Sequence, residues 1–275
     1  MKTRLALLLL LLVFLAPKAW PETVFTLAIV PQFTAVDIGQ RWAPLVEHIK
    51  RETGVTLQLR STASIPAFEE EFMAGLPDFV FLNPYHMVMA AKARGYRPFL
   101  RSSQPLEGIL VVKNSGPVQR LNDLNGGTLA FPAPNAFGAS LYMRALLSER
   151  EGITFTPSYV GTHQNVYRHV FHGDALAGGG VESTLAMEPE GIRSQLRVLY
   201  RTPHSASHPL AVHPRVPRQV VDRVMASLRG LALTPEGKRL LMQVELDDAV
   251  VADYGRDYAP LEKLGLDRFV VGKRN

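Results

Sequence analysis

Strands alternate with helices along nearly the whole chain, which predicts an α/β protein built on parallel sheets. Three observations carry that expectation. Short β-rich apolar runs recur: VFTLAIV, VTLQLRS, FVFLN, TLAF, PSYV and LAGGGV. Segments with helical periodicity separate them. Helix-starting prolines and helix-stopping glycines fall at the segment ends.

The elements read in order as follows. VFTLAIV (Val24 to Val30) is the first strand, and IGQRWAPLVEHIKRETG is an amphipathic helix, with Asp37 as its expected N-cap and Gly54 as its stop. VTLQLRS alternates at period two, as a half-buried strand does. A short helix over Ala67 to Met73 leads to FVFLN, apolar on both faces like a buried parallel strand. PYHMVMAAKARG opens with Pro at a first helical position and closes on Gly95. YRPFLRS and EGILVVKN are strands, LNDLNGGTLAFP is a turn into a strand, and a helix is expected from Asn135 to Arg150. ITFTPSYV, the helix THQNVYRHVFHG and the strand ALAGGGV repeat the pattern. LRVLYRTP and PLAVH are the last clear strands, and the chain beyond Pro217 reads as helical.

The N-terminus reads as an export signal. MKTR supplies two positive charges, an unbroken apolar run from Leu5 to Ala16 follows, and a small residue stands at Ala19. The run is shorter than the ~20 residues a membrane-spanning helix needs. Removing residues 1–19, which carry Lys2, Arg4 and Lys18 and no acid, takes the formal charge from +5 to +2. The basic balance is thus partly a targeting feature, and nucleic-acid binding, which needs a clustered basic face, is not expected. With no cysteine in the chain, disulfides, thiolate nucleophiles and thiolate metal sites are excluded.

In α/β sheets, ligands sit where the carboxyl ends of strands lead into helix N-termini. The segments at those places are PQFTAVD with Phe33, then Pro84-Tyr85-His86, Asn135-Ala136-Phe137-Gly138, Thr162-His163-Gln164 and Glu182-Ser183-Thr184. Helix starts there offer unpaired backbone N–H groups and a partial positive charge, which suit an anion without Lys or Arg. Tyr85, Asn135 and His163 would add directed hydrogen bonds. His86 reads as packing, and Asn135 reads equally well as a helix cap. His169 and His172 share a helix face but lack further ligands at metal spacing, so no metal is expected. Gly178-Gly179-Gly180 lacks the setting of a dinucleotide loop and reads as a place of close approach to a ligand or a facing lobe. No Gly-x-Ser-x-Gly elbow, P-loop, His-Glu-x-x-His or paired-carboxylate arrangement is evident, so no enzyme, no catalytic residue and no cofactor are expected.

The ordered segments FVFLNPYHMVMAAKARGYRPFL, LNDLNGGTLAFPAPNAFGAS, YVGTHQNVYRHVFHGDALAGGGV and SHPLAVHPRVP resemble periplasmic phosphonate/phosphite/phosphate-binding proteins of ABC transporters, over about Thr26 to Val250. The resemblance implies a type II periplasmic-binding fold, with parallel-rich mixed sheets in two α/β lobes and two crossover strands, held by EGILVVKN and VLYRTPHSASHPL. Lobe one would be residues 24–110 plus 205–275, and lobe two 111–204. It also implies that Tyr85 and His163 contact the ligand, that Glu182 lies near an acid facing a ligand amino group, and that Ser207 and His208 line the cleft. One departure stands out. Where the family holds its phosphonate with a Ser-Thr-Ser-Gly helix start, this chain has Asn135-Ala136-Phe137-Gly138. Losing hydroxyl donors costs about 1–3 kcal/mol for each ligand oxygen left unpaired. The expected ligand is therefore a smaller oxyanion, or a more apolar anion, than an alkylphosphonate. The expected protein is a periplasmic monomer that captures a small anion for an ABC permease. The alternatives are a sensing partner of a membrane histidine kinase and an exported enzyme acting on a small anionic metabolite.

Overall fold

The computed structural model describes residues 24–271, so the expected export signal lies outside the described residues. The strands are β1 (Val24–Ile29), β2 (Thr56–Arg60), β3 (Phe79–Phe81), β4 (Arg97–Arg101), β5 (Gly108–Lys113), β6 (Gly127–Phe131), β7 (Phe155–Tyr159), β8 (Ala177–Val181), β9 (Leu196–Arg201), β10 (Pro209–Val212) and β11 (Val250–Val251). They form two sheets, ordered β11-β4-β10-β3-β1-β2 and β7-β6-β8-β5-β9, and each sheet is the centre of one lobe. The pairs of β1 with β2 and β3, and of β6 with β7 and β8, are parallel. Strands β4, β5, β9, β10 and β11 pair only antiparallel. Both sheets are therefore mixed.

Helices cover the sheets: α1 (Ala35–Thr53), α2 (Ile65–Ala74) and α3 (Pro84–Arg94) in the first lobe, and α4 (residues 137–150), α5 (His163–His172), α6 (Glu182–Ala186) and α7 (Glu190–Arg193) in the second. The chain then returns to the first lobe with α8 (Arg218–Leu231) and α9 (Pro235–Gln243). Glycines in the left-handed conformation end α1, α2, α3 and α5 at Gly54, Gly75, Gly95 and Gly173. Thr34, not the expected Asp37, caps α1. The extended Thr34 accepts a hydrogen bond from the Asp37 N–H at 3.2 Å, and its hydroxyl donates to Asp37 Oδ2 at 2.7 Å. Helix α4 starts at Phe137, and its first and last turns are π-helical.

The chain crosses between the lobes after β4 and again after β9. The two connections lie side by side, with Leu106 N–H donating to the Ser205 carbonyl at 2.8 Å and Ser205 N–H returning to Leu106 at 3.0 Å. Glycines let α4 pack closely on the second sheet. A Cβ on Gly108 would collide with the Gly138 carbonyl, one on Gly179 with the Ala139 carbonyl, and one on Gly180 with the Tyr167 phenol. The glycine triplet thus admits helices of its own lobe.

The lobes are also joined by the C-terminal segment. Residues 254–264 pack on α3, and Leu266–Phe269 reaches α4. Arg144, buried on α4, donates to the carbonyls of Phe269 at 2.8 Å and Pro134 at 2.9 Å and to Ser140 Oγ at 3.2 Å. Arg144→Met would keep much of the side chain's bulk and leave these acceptors without their donor. It is expected to destabilise the protein by about 2–3 kcal/mol, seen as a fall in Tm of about 5–10 °C. An unchanged Tm would show that this segment contributes no stability through Arg144.

Candidate functional site

The strand-end rule points to a candidate site. Gln32 follows β1, Asn83 follows β3, Ala136 to Ala139 follow β6, His163 follows β7, and His208 precedes the antiparallel β10. These residues, with Leu106 from the first crossover, line a cavity between the lobes of about 10 Å³, roughly the room one water needs. The lobes are therefore closed on each other in this conformation.

Helix α4 aims its N-terminus at this cavity. Its first carbonyl acceptor, Ala136, takes Ser140 N–H at 2.8 Å and Leu141 N–H at 3.0 Å, so the N–H groups of Phe137, Gly138 and Ala139 have no partner within the helix. No side chain caps α4. Asn135, which would be the natural cap, is turned elsewhere. Its Nδ2 donates to Glu69 Oε2 and to the Val271 carbonyl, both at 3.1 Å, and its Oδ1 accepts from Val271 N–H at 3.0 Å. Asn83 caps α3 through Oδ1, which accepts from His86 N–H at 2.8 Å, and its Nδ2 reaches across the lobes to the Asn135 carbonyl at 3.1 Å. Phe137 lies stacked against Tyr142, with ring centroids 5.6 Å apart.

Two histidines face the cavity, and burial keeps both neutral. The imidazole of His163 is pushed down to about 4 and that of His208 to about 3. His163 Nδ1 is 3.3 Å from Thr184 Oγ1. His208 stacks on Phe81, its Nε2 meets the Gln32 amide at 2.6 Å, and its Nδ1 lies 4.0 Å from Glu245 Oε2. Glu245 sits in the left-handed region at φ 59° and accepts from Ser183 Oγ of the other lobe at 3.3 Å. Burial raises its carboxyl to about 7. No Lys or Arg lines the cavity, so its polar surface is made of backbone N–H groups, two amides and two neutral imidazoles.

The sequence-predicted residues separate into groups. Ala136, Phe137, Gly138, His163 and His208 meet at the cavity. Glu182 and Ser207 line an adjoining open groove instead, where Glu182 is paired with Arg201 at 2.9 Å and Ser207 Oγ donates to the Ser102 carbonyl at 2.7 Å. Thr162 caps α5, accepting from Asn165 N–H at 3.2 Å. Phe33 lies under the Arg41 guanidinium, 4.3 Å from the ring centroid. Tyr85 is buried near the charges of Asp267, Lys92 and Glu262, away from the cavity lining. Gln32 and Asn83 were not singled out in the sequence. Both stand directly after strands, and the same rule that found His163 would have found them.

The family described as "ABC transporter, phosphonate, periplasmic substrate-binding protein" matches residues 27–258. The chain belongs to this family. A curated relative, the phosphate-import protein PhnD of Mycolicibacterium smegmatis, is 22% identical over 230 residues, covering 75% of this chain and 71% of that protein. The fold is that of a binding-protein component of an ABC phosphonate transporter from Pseudomonas aeruginosa, with a TM-score of 0.80, 12% identity and coverage of 90% of this chain and 88% of the other. PhnD1 from Prochlorococcus marinus, solved with methylphosphonate, has a TM-score of 0.79 and 13% identity, covering 89% of this chain and 98% of the other. The protein is thus a two-lobed periplasmic substrate-binding protein of the phosphonate family of ABC transporters. Among the described residues no helix is long and apolar enough to cross a membrane.

Proposed function

We propose that the interlobe cavity is the ligand site of this phosphonate-family binding protein, and that it takes a small oxyanion of phosphorus with no extended substituent. The observation that carries this reading is the uncapped N-terminus of α4, whose N–H groups of Phe137, Gly138 and Ala139 precede the first intrahelical bond at the cavity wall. Such a terminus holds an anion by its N–H groups and the helix dipole, without a formal positive charge. Where the family resemblance implied hydroxyl donors, backbone N–H groups, Asn83, Gln32 and the histidines are the donors and acceptors on hand. Two features favour a compact ligand. The closed cavity has room for about one water, so the lobes must part slightly to admit even a bare oxyanion, and Glu182, expected near an acid that faces a ligand amino group, is engaged by Arg201 in the adjoining groove.

The crossovers near residues 102–107 and 202–208 serve as the hinge, and ligand binding favours the closed form over an open one. Phosphate and methylphosphonate, which the names of its relatives carry, are the first ligands to test. Isothermal titration calorimetry is expected to give one-to-one binding of at least one of them. An aminoethyl-substituted phosphonate is expected to bind at least ~10-fold more weakly, about 1.4 kcal/mol. His208→Ala is expected to weaken the best ligand by about 10–100-fold, the cost of an unpaired polar group. If neither ligand binds, or if His208→Ala leaves affinity unchanged, this assignment of the site is wrong.

A further inference from the structure

A third connection joins the lobes besides the two crossovers. The C-terminal segment is anchored on the first lobe at three points. Asp257 accepts from Arg101 of β4 at 3.0 Å, the Tyr258 phenol donates to the Ser207 carbonyl at 2.9 Å, and Glu262 pairs with Lys92 of α3 at 2.7 Å. It is anchored on the second lobe by the ion pair of Arg268 with Glu149 at 2.9 Å and by the Phe269 carbonyl, which accepts from Arg144 at 2.8 Å. Val271 completes the strap. Its N–H donates to Asn135 Oδ1 at 3.0 Å, and its carbonyl accepts from Asn135 Nδ2 at 3.1 Å. The same Nδ2 donates across the lobe gap to Glu69 of α2 at 3.1 Å. The amide thus spends its oxygen and one N–H on the strap and its other N–H on the first lobe. Leu266, between the anchors, is buried in one continuous apolar cluster with Tyr142 and Ala145 of α4 and Met87 of α3.

Opening the cavity must work against this strap. Asn83 of the first lobe and Ala136 of the second both line the cavity, so admitting an anion parts them, and Asn135, next to Ala136, moves away from Glu69. The stretch from Glu262 to Arg268 is wound as two 3₁₀ turns that meet at Gly265, which lies in the left-handed region at φ 62°. A 3₁₀ turn rises ~2 Å per residue and an extended chain ~3.5 Å, so uncoiling this stretch adds no more than about 9 Å. Opening therefore either uncoils the strap and bares Leu266 or breaks its bonds to α4. We propose that the C-terminal segment is a latch: locked on Asn135, it holds the lobes closed in the free protein, and the anion enters through a minor open form. The proposal rests on the reading of the crossovers as the hinge and not on which anion the cavity takes. Asn135 stands where the family resemblance implied a serine, and it supplies what a hydroxyl does not, two donors and an acceptor on one side chain.

The chain has no cysteine, so one spin label can be placed on each lobe, through Lys238→Cys and Gln195→Cys at exposed positions. Distances between the labels, measured by electron double resonance without any anion, are expected to show mostly one short population. Asn135→Ala cuts the strap and the Glu69 bond together, and it is expected to move at least about half of the molecules to a longer distance. Val271→Pro removes only the strap's N–H donor, away from the cavity lining, and should shift the population the same way by less. Because entry needs the open form, the better of phosphate and methylphosphonate should associate with Asn135→Ala at least ~3-fold faster in stopped-flow mixing, and saturation should restore the short distance. Should Asn135→Ala not fold, Val271→Pro at the exposed end of the strap decides. A parent protein that is mostly open without anion, or variants whose distances match the parent's, would overturn the latch. If neither anion binds, the assignment of the cavity fails, while the distances measured without anion still judge the latch.

Discussion

Gly179→Ala is expected to cost about 3 kcal/mol and to lower the Tm by about 6–12 °C, the conversion for a chain of this size. The added Cβ would run into the backbone carbonyl of Ala139 and against the edge of the Phe131 ring. Neither can retreat cheaply. Gly179 lies on β8, the central strand of the second sheet, and the Ala139 carbonyl belongs to the first turn of α4. Pushing that turn away from the sheet would also move the N–H groups at the cavity wall, so ligand binding should weaken together with stability. Gly39→Ala is the matched control. Gly39 sits inside α1 with nothing within 4 Å of an added Cβ, so alanine there should stabilise by about 0.5–1 kcal/mol. Chemical denaturation of the two variants checks both signs. A neutral Gly179→Ala would mean that α4 does not rest on the sheet as described.

Acid is expected to destabilise this protein from about pH 6.5 downward, above the range in which carboxylates alone would act. His163 and His208 have folded values of about 4 and about 3, against an unfolded value near 6.5. Between those limits the unfolded chain binds more protons than the folded one, so stability rises with pH. On this reckoning His163 contributes about 3 kcal/mol and His208 about 5 kcal/mol, present above pH 6.5 and lost as the pH falls toward each folded value. Glu245 acts in the opposite sense. Its folded value of about 7 lies above the ordinary one, so the folded state holds the proton more tightly and stability falls as the pH rises from about 4.5 to 7. Two rising contributions outweigh one falling contribution, and the maximum should lie near pH 6.5. Melting temperatures across pH 3–8 check this. His163→Gln should flatten the acid limb, and Glu245→Gln should remove the decline above the maximum. An acid limb that His163→Gln leaves unchanged would show that burial of this ring does not govern the response.

Most of the secondary structure was legible because its signals are local. Gly54 and Gly95 end helices where the left-handed conformation is needed, Pro84 opens one where no N–H is missed, and the short apolar runs became strands. The N-cap of α1 was misplaced by three residues because Asp37 and Thr34 take part in one reciprocal arrangement and either suits the role by residue type. The two-residue strand β11 and the short turns after it carry too few residues for any periodicity to show. His163 and the Ala136-Phe137-Gly138 turn, expected from the strand-to-helix junctions, do come together at the one cavity, because such a junction is itself a local pattern. The position of Tyr85 was not legible, since adjacent residues of a helical turn point in different directions, and packing turns both Tyr85 and His86 away from the cavity lining.

Local chemistry, then, sufficed for the α/β order of elements and for the strand ends that line the candidate site, and the ordered segments sufficed for the family. Pairings between distant residues were beyond it. Asn135 is engaged by Val271, 136 residues away, and His208 by Gln32, 176 residues away. The first contact takes the expected cap from α4 and leaves its N–H groups to the cavity. The second sets His208 against its neighbours. An asparagine next to a helix start can cap it, bind a ligand or tie down a distant segment, and a histidine can donate or accept at either nitrogen. Which role each takes depends on the partners that folding brings within about 3 Å, and only the tertiary structure decides that.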